Sequence, residues 1–190
     1  MKKILLVGLG NIGEEYHQTR HNIGFDVLDA FIYKHNAAFY LDRLVYFAEL
    51  KIKGNMYICI KPTTYMNLSG KAFQYWLNKT NIEIENSLTI LDDIAFPLSA
   101  IRLKPGGSNG GHNGLRNIEE TIGTTQYPKL RIGIGNNFHK GKQVDYVLQK
   151  WSEHEMPIIQ KKINTCVDML ENYAHIGIQQ SMNNINSIIF

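Results

Sequence analysis

Hydrophobic positions along the chain alternate between short continuous runs and helically spaced stretches. The continuous runs predict strands over residues 4–7, 44–53, 56–61, 88–91, 100–104 and 130–134. Between the second and third of these strands, Gly54-Asn55 predicts the turn of a hairpin. Helical spacing predicts helices over residues 22–36, 69–79, 115–122 and 152–173. The tail, residues 178–190, is rich in Asn and Ser and gives no clear prediction. Strands alternating with helices predict an α/β fold, a three-layer α/β/α domain whose twisted sheet is mixed because it contains a hairpin.

Composition narrows the class of protein. With 190 residues and 44% hydrophobic content, the chain can bury a sizeable core, so we expect one domain over residues 1–190. Two cysteines, Cys59 and Cys166, stand far apart and indicate neither a disulfide framework nor a zinc site. The first apolar run is too short for a signal peptide or a membrane span. We therefore expect a cytoplasmic protein with no membrane partner.

Positive charge is concentrated in one segment although the net charge is only +3. Residues 99–142 carry seven Lys or Arg against two Glu, and the rest of the chain has more acidic than basic residues. Clustered Lys and Arg attract phosphates regardless of sequence. The segment favours a polyanionic ligand, while a merely solvated basic surface remains the alternative.

The turn after the first strand contains Gly8-x-Gly10-x-x-Gly13, the spacing of a dinucleotide-binding loop. Such a loop needs a helix that begins at its second or third glycine. The residues that follow, 14–20, are polar and carry no apolar helical face. A nucleotide-dependent oxidoreductase is therefore a weak alternative, and no cofactor is predicted.

Several Gly- and Asn-rich motifs recur in loops after predicted strands. They are residues 8–24 (GLGNIGEEYHQTRHNIG), 62–70 (PTTYMNLSG), 92–93 (DD), 110–115 (GGHNGL) and 130–135 (LRIGIG). In these motifs and their order the chain resembles the bacterial-type peptidyl-tRNA hydrolases over nearly its whole length. The resemblance implies a monomeric, metal-free α/β esterase that releases peptides from the tRNA of aborted translation.

The ester joins the terminal carbonyl of the peptide to the 3′ ribose of tRNA. One base that activates water, with donors for the developing oxyanion, suffices for such a bond. The resemblance assigns the base to His21, and Asp92 would fix its tautomer; Asp93 is the less favoured partner. No His or acidic pair has the spacing of a metal motif, so no metal site is predicted.

The remaining site residues follow from the same resemblance. Asn11, counted with the catalytic set, and Asn67 and Asn113 would position substrate or water through their amides, although a loop Asn taken alone more often caps a turn. Either one of these amides or a backbone N–H would be the oxyanion donor. Tyr16 and Met66 would line the crevice. His112 belongs to the site loop without an assigned role, since it could compete with His21 as the base.

Contact with the tRNA acceptor stem is expected from the basic segment. Lys104 and Arg131 match the family's clamp for the 5′-phosphate, and the other candidates for the RNA backbone are Arg102, Lys142, Arg116 and Lys140. Residues 143–175 would form a lid and the far wall of the crevice. We expect peptidyl-tRNA as the partner.

Three departures from the family pattern affect loops rather than chemical groups. Ile12 replaces the usual proline, Ala95 stands where an acid is common, and Leu98-Ser99 replaces Pro-Gly. A noncatalytic RNA-binding relative is a second alternative, but it would tolerate loss of His21 or Asp92. Both are present.

Overall fold

The computed structural model describes all residues, 1–190, and builds seven strands into one sheet. The strands are β1 (Lys3–Gly8), β2 (Tyr40–Asp42), β3 (Val45–Ile52), β4 (Asn55–Pro62), β5 (Ser87–Asp93), β6 (Ile101–Lys104) and β7 (Lys129–Gly133). The α-helices are α1 (Ile23–Lys34), α2 (Ser69–Thr80), α3 (Asn113–Ile122), α4 (Gln143–Val147) and α5 (Met156–Ile185). None of them combines the length and the apolar composition needed to cross a membrane.

The sheet is mixed, as predicted. Its strand order is β2-β3-β4-β1-β5-β7-β6, in which β1 runs parallel to β4 and β5, and β5 runs parallel to β7. The β2–β3, β3–β4 and β6–β7 pairs are antiparallel. The carboxyl ends of the four parallel strands β4, β1, β5 and β7 therefore meet at one edge, where polar residues of their loops come together.

Two hydrophobic clusters cover the two faces of the sheet. One joins α1 and α5 to one face, with Phe31, Tyr57 and Leu170 among its members. The other joins α2 and α3 to the opposite face through Phe73, Trp76 and Leu115. The predicted three-layer α/β/α arrangement is confirmed.

The hairpin differs from its prediction by one residue. Its two-residue loop is Lys53-Gly54, both with positive φ (49° and 79°), and Asn55 already pairs with Ile52. Positive φ at both loop positions matches the right-handed twist of the strands, and Gly adopts it without a steric cost. Asn55 lies outside the loop, and its side-chain oxygen accepts a hydrogen bond from the Lys2 backbone N–H.

The sequence analysis did not predict β2, the five-residue helix α4 or the C-terminal part of α5. The edge strand β2 is three residues long and fully exposed, so its sequence carries no alternation of buried and exposed positions. Helix α5 continues through most of the Asn-rich tail, with a break in helical geometry at Gly177 (φ 76°). Beyond the break, buried Ser181 and Ile185 still alternate with exposed amides.

Gly24 sets how closely the start of α1 approaches the sheet. A Cβ at this position would meet the Ile90 carbonyl oxygen and, at 2.6 and 2.7 Å, the backbone N and O of Leu9. All three neighbours are backbone atoms of the central strands or the turn that follows, so they cannot move aside. The three residues before α1, including His21, are thereby placed above the carboxyl end of β5.

We expect Gly24→Ala to lower the free energy of unfolding by about 1–3 kcal/mol, because the added methyl group overpacks a rigid contact. Urea denaturation of the variant and the parent protein measures this difference. Asn78→Ala, on the exposed face of α2, is the control and should change stability little. Equal midpoints for Gly24→Ala and the parent would show that α1 can shift at no cost.

Candidate active site

Asp92 lies at the centre of a cluster of three side chains from separate segments. It is the sixth residue of β5, is 2% exposed, and faces two imidazole rings. His21 Nδ1 lies 2.9 and 3.0 Å from the two Asp92 carboxylate oxygens, and His112 Nε2 lies 2.9 Å from Oδ1. The two ring centroids are 4.9 Å apart. The predicted pairing of His21 with Asp92 is thus present in the structure, together with a second histidine.

The hydrogen bonds define which ring nitrogen carries the proton in each histidine. His112 Nδ1 accepts the backbone N–H of Leu115 and so caps α3, which leaves its Nε2–H to donate to Asp92. His21 donates from Nδ1 to Asp92, while its Nε2 makes no hydrogen bond within the protein. The lone pair of His21 Nε2 is therefore the free base of the cluster.

Charge and burial act against each other on these groups. Burial by itself lowers the pKa of His21, but the Asp92 charge and hydrogen bond outweigh it and raise the pKa above its ordinary value of 6.5. Burial by itself raises the pKa of Asp92, but the two imidazoles hold it well below its usual range. Asp92 is therefore a fixed negative charge that favours the protonated form of His21.

His21, Asp92 and His112 also form the one set whose ligating atoms lie within 4.8 Å of one another. Two imidazoles and a carboxylate are ligands that suit a divalent transition metal. The sequence analysis predicted no metal site because metal-binding motifs consist of residues close in sequence, whereas these three residues come from three segments. The N–O separations of 2.9 Å are those of direct hydrogen bonds, so the present arrangement is that of an acid–base cluster.

A small cavity of about 50 Å³ opens in front of this cluster. It has room for a few water molecules. Its walls are the end of β5, the loop with the start of α3, and α4, with His21, Asn109, His112, Asn113, Gln143 and Val147 among the lining residues. Asn113 is exposed and its side chain makes no hydrogen bond within the protein, so its amide is free to meet a ligand.

Asn11 ties three loops together. The side chain of Asn22 accepts the Asn11 N–H (2.8 Å) and donates to the Asn11 carbonyl (2.9 Å), which fixes the turn after β1 against the His21 turn. Asn11 Oδ1 in turn accepts the backbone N–H of Met66 (2.7 Å). Met66 is buried, and its sulfur lies 2.6 Å from the Cβ position that Gly114 leaves vacant.

Besides Asn11 and Met66, two further predicted site residues, Tyr16 and Asn67, do not line the His21 cavity. Tyr16 is partly buried in a 3-10 turn, and its carbonyl accepts the Thr19 hydroxyl. Asn67 is exposed in the turn before α2. Neither lines the cavity, and their predicted contact with substrate remains a prediction.

The predicted phosphate-binding residues divide into two groups. Lys104 and Lys142 are exposed, with Lys142 paired only to the exposed Asp145. Arg102 instead donates to the carbonyl of Asn186 in the C-terminal segment. Arg131 is buried and bonded to the Asp93 carboxylate (3.0 Å) and the Ser108 carbonyl, so in this conformation it supports the site loop from below.

A buried charged group holds the loop that carries His112. Asn109 donates to Glu119 (2.8 Å) and accepts the N–H of Gly111 (2.9 Å). Lys129 is fully buried, its Nζ lies 4.0 Å from Glu119, and burial lowers the pKa of Lys129 to about 8. Sequence patterns assigned these residues no role, because no local pattern marks a lysine as buried.

Arg20 joins the His21 turn to the segment that contains α4. It is 6% exposed, donates to both carboxylate oxygens of Glu155 (2.8 and 3.0 Å), and donates to the carbonyls of Tyr146 and Lys150 (3.3 Å each). Its guanidinium also lies 4.3 Å from the centre of the Tyr146 ring. The α4 wall of the cavity is therefore fixed to the residue next to His21.

The turn after β1 lacks the helix that a dinucleotide loop requires. Only a three-residue 3-10 turn, Glu14–Tyr16, follows Gly13. A Cβ at Gly10 would meet the ring of Phe25, so this glycine serves a close contact within the protein. The geometry gives no support to nucleotide binding.

Comparison with known proteins identifies the family of this chain. The sequence model of the family described as peptidyl-tRNA hydrolase matches residues 5–189. The chain belongs to this family. A curated peptidyl-tRNA hydrolase of Cytophaga hutchinsonii is 48% identical over 185 residues, which are 97% of this chain and 98% of the relative. One of Phocaeicola vulgatus is 47% identical over 184 residues, with the same coverage.

Solved structures give the same result for the fold. The crystal structure of peptidyl-tRNA hydrolase from Acinetobacter baumannii superposes with a TM-score of 0.93 at 34% sequence identity. The match covers 98% of this chain and 95% of that chain. The resemblance and the fold class predicted from the sequence are thus confirmed.

Replacing Arg20 by Lys should lower both stability and activity. Lysine keeps the charge but loses the two-point contact with Glu155 and the carbonyl bonds, so we expect a loss of about 2–4 kcal/mol in the free energy of unfolding. The α4 wall should also shift and reduce kcat/KM for release of N-acetylated amino acids from tRNA. Denaturation and this hydrolysis assay measure the two effects.

Lys150→Gln is the matched control, since its side chain is exposed and only its backbone bonds to Arg20. If Arg20→Lys behaved like Lys150→Gln in both assays, the guanidinium contacts would have no part in holding the wall.

Proposed function

We propose that the chain hydrolyses the ester between a peptide and the 3′ ribose of tRNA, with His21 as the base that activates water. The observation that carries this proposal is the free Nε2 of His21 beside the cavity, with Nδ1 held by a buried carboxylate. As a member of the peptidyl-tRNA hydrolase family the chain is an enzyme, and peptidyl-tRNA is its substrate. The assignment of residues to steps is our own.

In this mechanism His21 acts first as a base and then as an acid. Nε2 takes a proton from a water in the cavity, and the hydroxide attacks the ester carbonyl carbon. The resulting imidazolium is stabilised by Asp92, which holds the ring with its proton on Nδ1. When the tetrahedral intermediate collapses, Nε2 returns the proton to the departing ribose oxygen. No covalent enzyme intermediate is needed.

His112 keeps Asp92 charged and fixed in place. Through its Nε2–H it gives the carboxylate a second donor, and through Nδ1 it attaches the cluster to the first turn of α3. With Nδ1 committed to the Leu115 N–H, His112 is a poor candidate for the base. We assign it a positioning role.

The start of α3 is our candidate for binding the developing oxyanion. A helix N-terminus concentrates N–H groups and partial positive charge, and the Asn113 side chain adds a free amide donor beside His21. Asn11 retains a free Nδ2 for a substrate carbonyl, since only its Oδ1 is bonded to Met66. We propose both asparagines as substrate ligands.

Exposed lysines are the proposed contacts to the acceptor stem. Lys104 and Lys142 extend from the basic segment into solvent and can reach phosphates without breaking an internal contact. Arg131 would have to give up Asp93 or Ser108 to do the same. Phosphate contacts of this kind position RNA without reading its sequence. Residues 143–155 form a fixed wall in this scheme, and the cytoplasmic location and the monomeric state remain predictions.

His21→Asn should lower kcat for release of N-acetylated amino acids from tRNA by a factor of about 10²–10⁴, because the general base is lost. Binding of the tRNA substrate, measured by filter retention at fixed salt, should be retained. His175→Asn, an exposed histidine on α5, is the control and should keep full turnover. Substantial turnover by His21→Asn would exclude His21 as the base.

The pH dependence of kcat/KM provides a separate test of the Asp92 role. Only neutral His21 can accept a proton, and its pKa is raised, so activity should increase with pH through a midpoint above 6.5. Asp92→Asn removes the charge that raises this pKa but leaves the burial that lowers it. The midpoint should therefore move to lower pH while the maximal rate falls; an unchanged midpoint would contradict the pairing.

A further inference from the structure

A second cavity, of about 280 Å³, lies next to the His21 turn and has no role in the mechanism above. It is lined by the turn after β1, by α1, and by β3 and β4, and it shares no lining residue with the His21 cavity. Asn22, the chain neighbour of His21, is part of its wall. His21 lines one cavity and Asn22 lines the other, so both cavities adjoin the same turn.

The cavity carries an excess of negative charge. Three carboxylates line it, those of Glu14, Asp26 and Asp29, against the single cation Lys61. Lys61 already bonds to Asp29 and lies over the rings of Phe25, Phe39 and Tyr46. Such a cavity repels the phosphates of RNA and attracts a positively charged group. Its sign is opposite to that of the basic segment proposed to meet tRNA.

Asn11 adds an independent sign that a ligand binds here. It lines the cavity, is 8% exposed, and uses Oδ1 for the Met66 N–H. Its Nδ2 has no hydrogen-bond partner in the protein. Solvent reaches this donor in the free protein, so it can meet the acceptor of a ligand without breaking an internal contact. A carbonyl oxygen is the acceptor that a peptide offers.

Of the two carboxylates in the cavity without a partner, Asp26 and the exposed Glu14, Asp26 is the one that is removed from solvent. It is partly buried on the first turn of α1 and makes no hydrogen bond or ion pair. Burial, and next the charge of Asp29, raise the pKa of Asp26 to about 7, although Lys61 opposes this. A cation that entered the cavity would relieve this unfavourable charge, so Asp26 is the group that gains most from a positively charged ligand.

We propose that this cavity is a subsite for an ammonium group of the peptidyl moiety, with Asn11 Nδ2 donating to a peptide carbonyl and Asp26 facing the cation. The ammonium group is that of a lysine side chain or of a free N-terminus. This inference rests on the proposed function, since it takes the peptide of peptidyl-tRNA as the ligand. Such a subsite would make the enzyme selective for the charge of the peptide that it releases.

The test compares substrates that differ only in that charge, all on one tRNA body. Comparison of N-acetyl-lysyl-tRNA with N-acetyl-norleucyl-tRNA tests the charge of the side chain. Comparison of glycyl-norleucyl-tRNA with N-acetyl-glycyl-norleucyl-tRNA tests the charge of the N-terminus. We expect kcat/KM to favour the charged member of at least one pair by roughly tenfold, and Asp26→Asn to bring that ratio close to one. Both substrates of a pair are measured with the same enzyme sample, so their ratio does not depend on the fraction of active enzyme. Partial unfolding of the variant therefore cannot imitate the result.

Glu85→Gln, which neutralises an exposed carboxylate before β5, is the matched control and should keep the preference. For the lysyl pair, whose ammonium group stays charged throughout, the preference should also grow from pH 6 to pH 8 as Asp26 ionises, and His17→Asn shows whether the one histidine in the cavity contributes. Equal rates within both pairs, or a preference that Asp26→Asn leaves intact, would overturn the subsite. Failure to release any of the four groups would instead refute the proposed function and the subsite with it.

Discussion

The buried carboxylate of Asp92 is the constraint on which the rest of the site depends. An isolated charge at the end of a strand that is buried along its whole length would be strongly destabilising, so it requires donors on both sides. The two imidazoles supply them, and each is attached to a different helix start, His21 before α1 and His112 at the cap of α3. Satisfying one charge therefore fixes the position of two loops. The same contacts leave His21 Nε2 free and basic.

The loops around this charge are held by polar contacts rather than by apolar packing. Asn22 binds the backbone of Asn11, Asn11 binds that of Met66, and Arg20 binds carbonyls of the α4 segment. Loops at the end of a sheet offer little apolar surface, and buried backbone groups need partners. Side-chain amides and a guanidinium meet this need and set each loop at a defined distance. Catalytic geometry and loop stability are thus products of the same hydrogen bonds.

Sequence patterns predicted most of the sheet and the helices, because the spacing of buried positions along the chain is a local property. The pairing of His21 with Asp92 was implied by the family motifs and their order. The sequence patterns missed β2, whose exposed residues carry no burial pattern, and they placed the hairpin turn one residue late, because Gly54 can take either position of a two-residue turn. The family motif implied Arg131 as a phosphate ligand, which stays a prediction, but it did not indicate that Asp93, its neighbour in space, binds Arg131 below the surface. Which cation is exposed depends on tertiary contacts that no local pattern contains.

Charge separation gives the two ends of the substrate different surroundings. The exposed lysines of the basic segment suit a polyanion, and because such contacts do not depend on base identity they accept any tRNA. The peptide varies more than the tRNA end, and binding it through backbone carbonyls would be equally general. The unpaired amide of Asn11 fits that general contact, and the carboxylates around it add a charge preference. In our proposal a phosphate is repelled there, so the acidic cavity also orients the substrate, with the peptide on one side of His21 and the tRNA on the other.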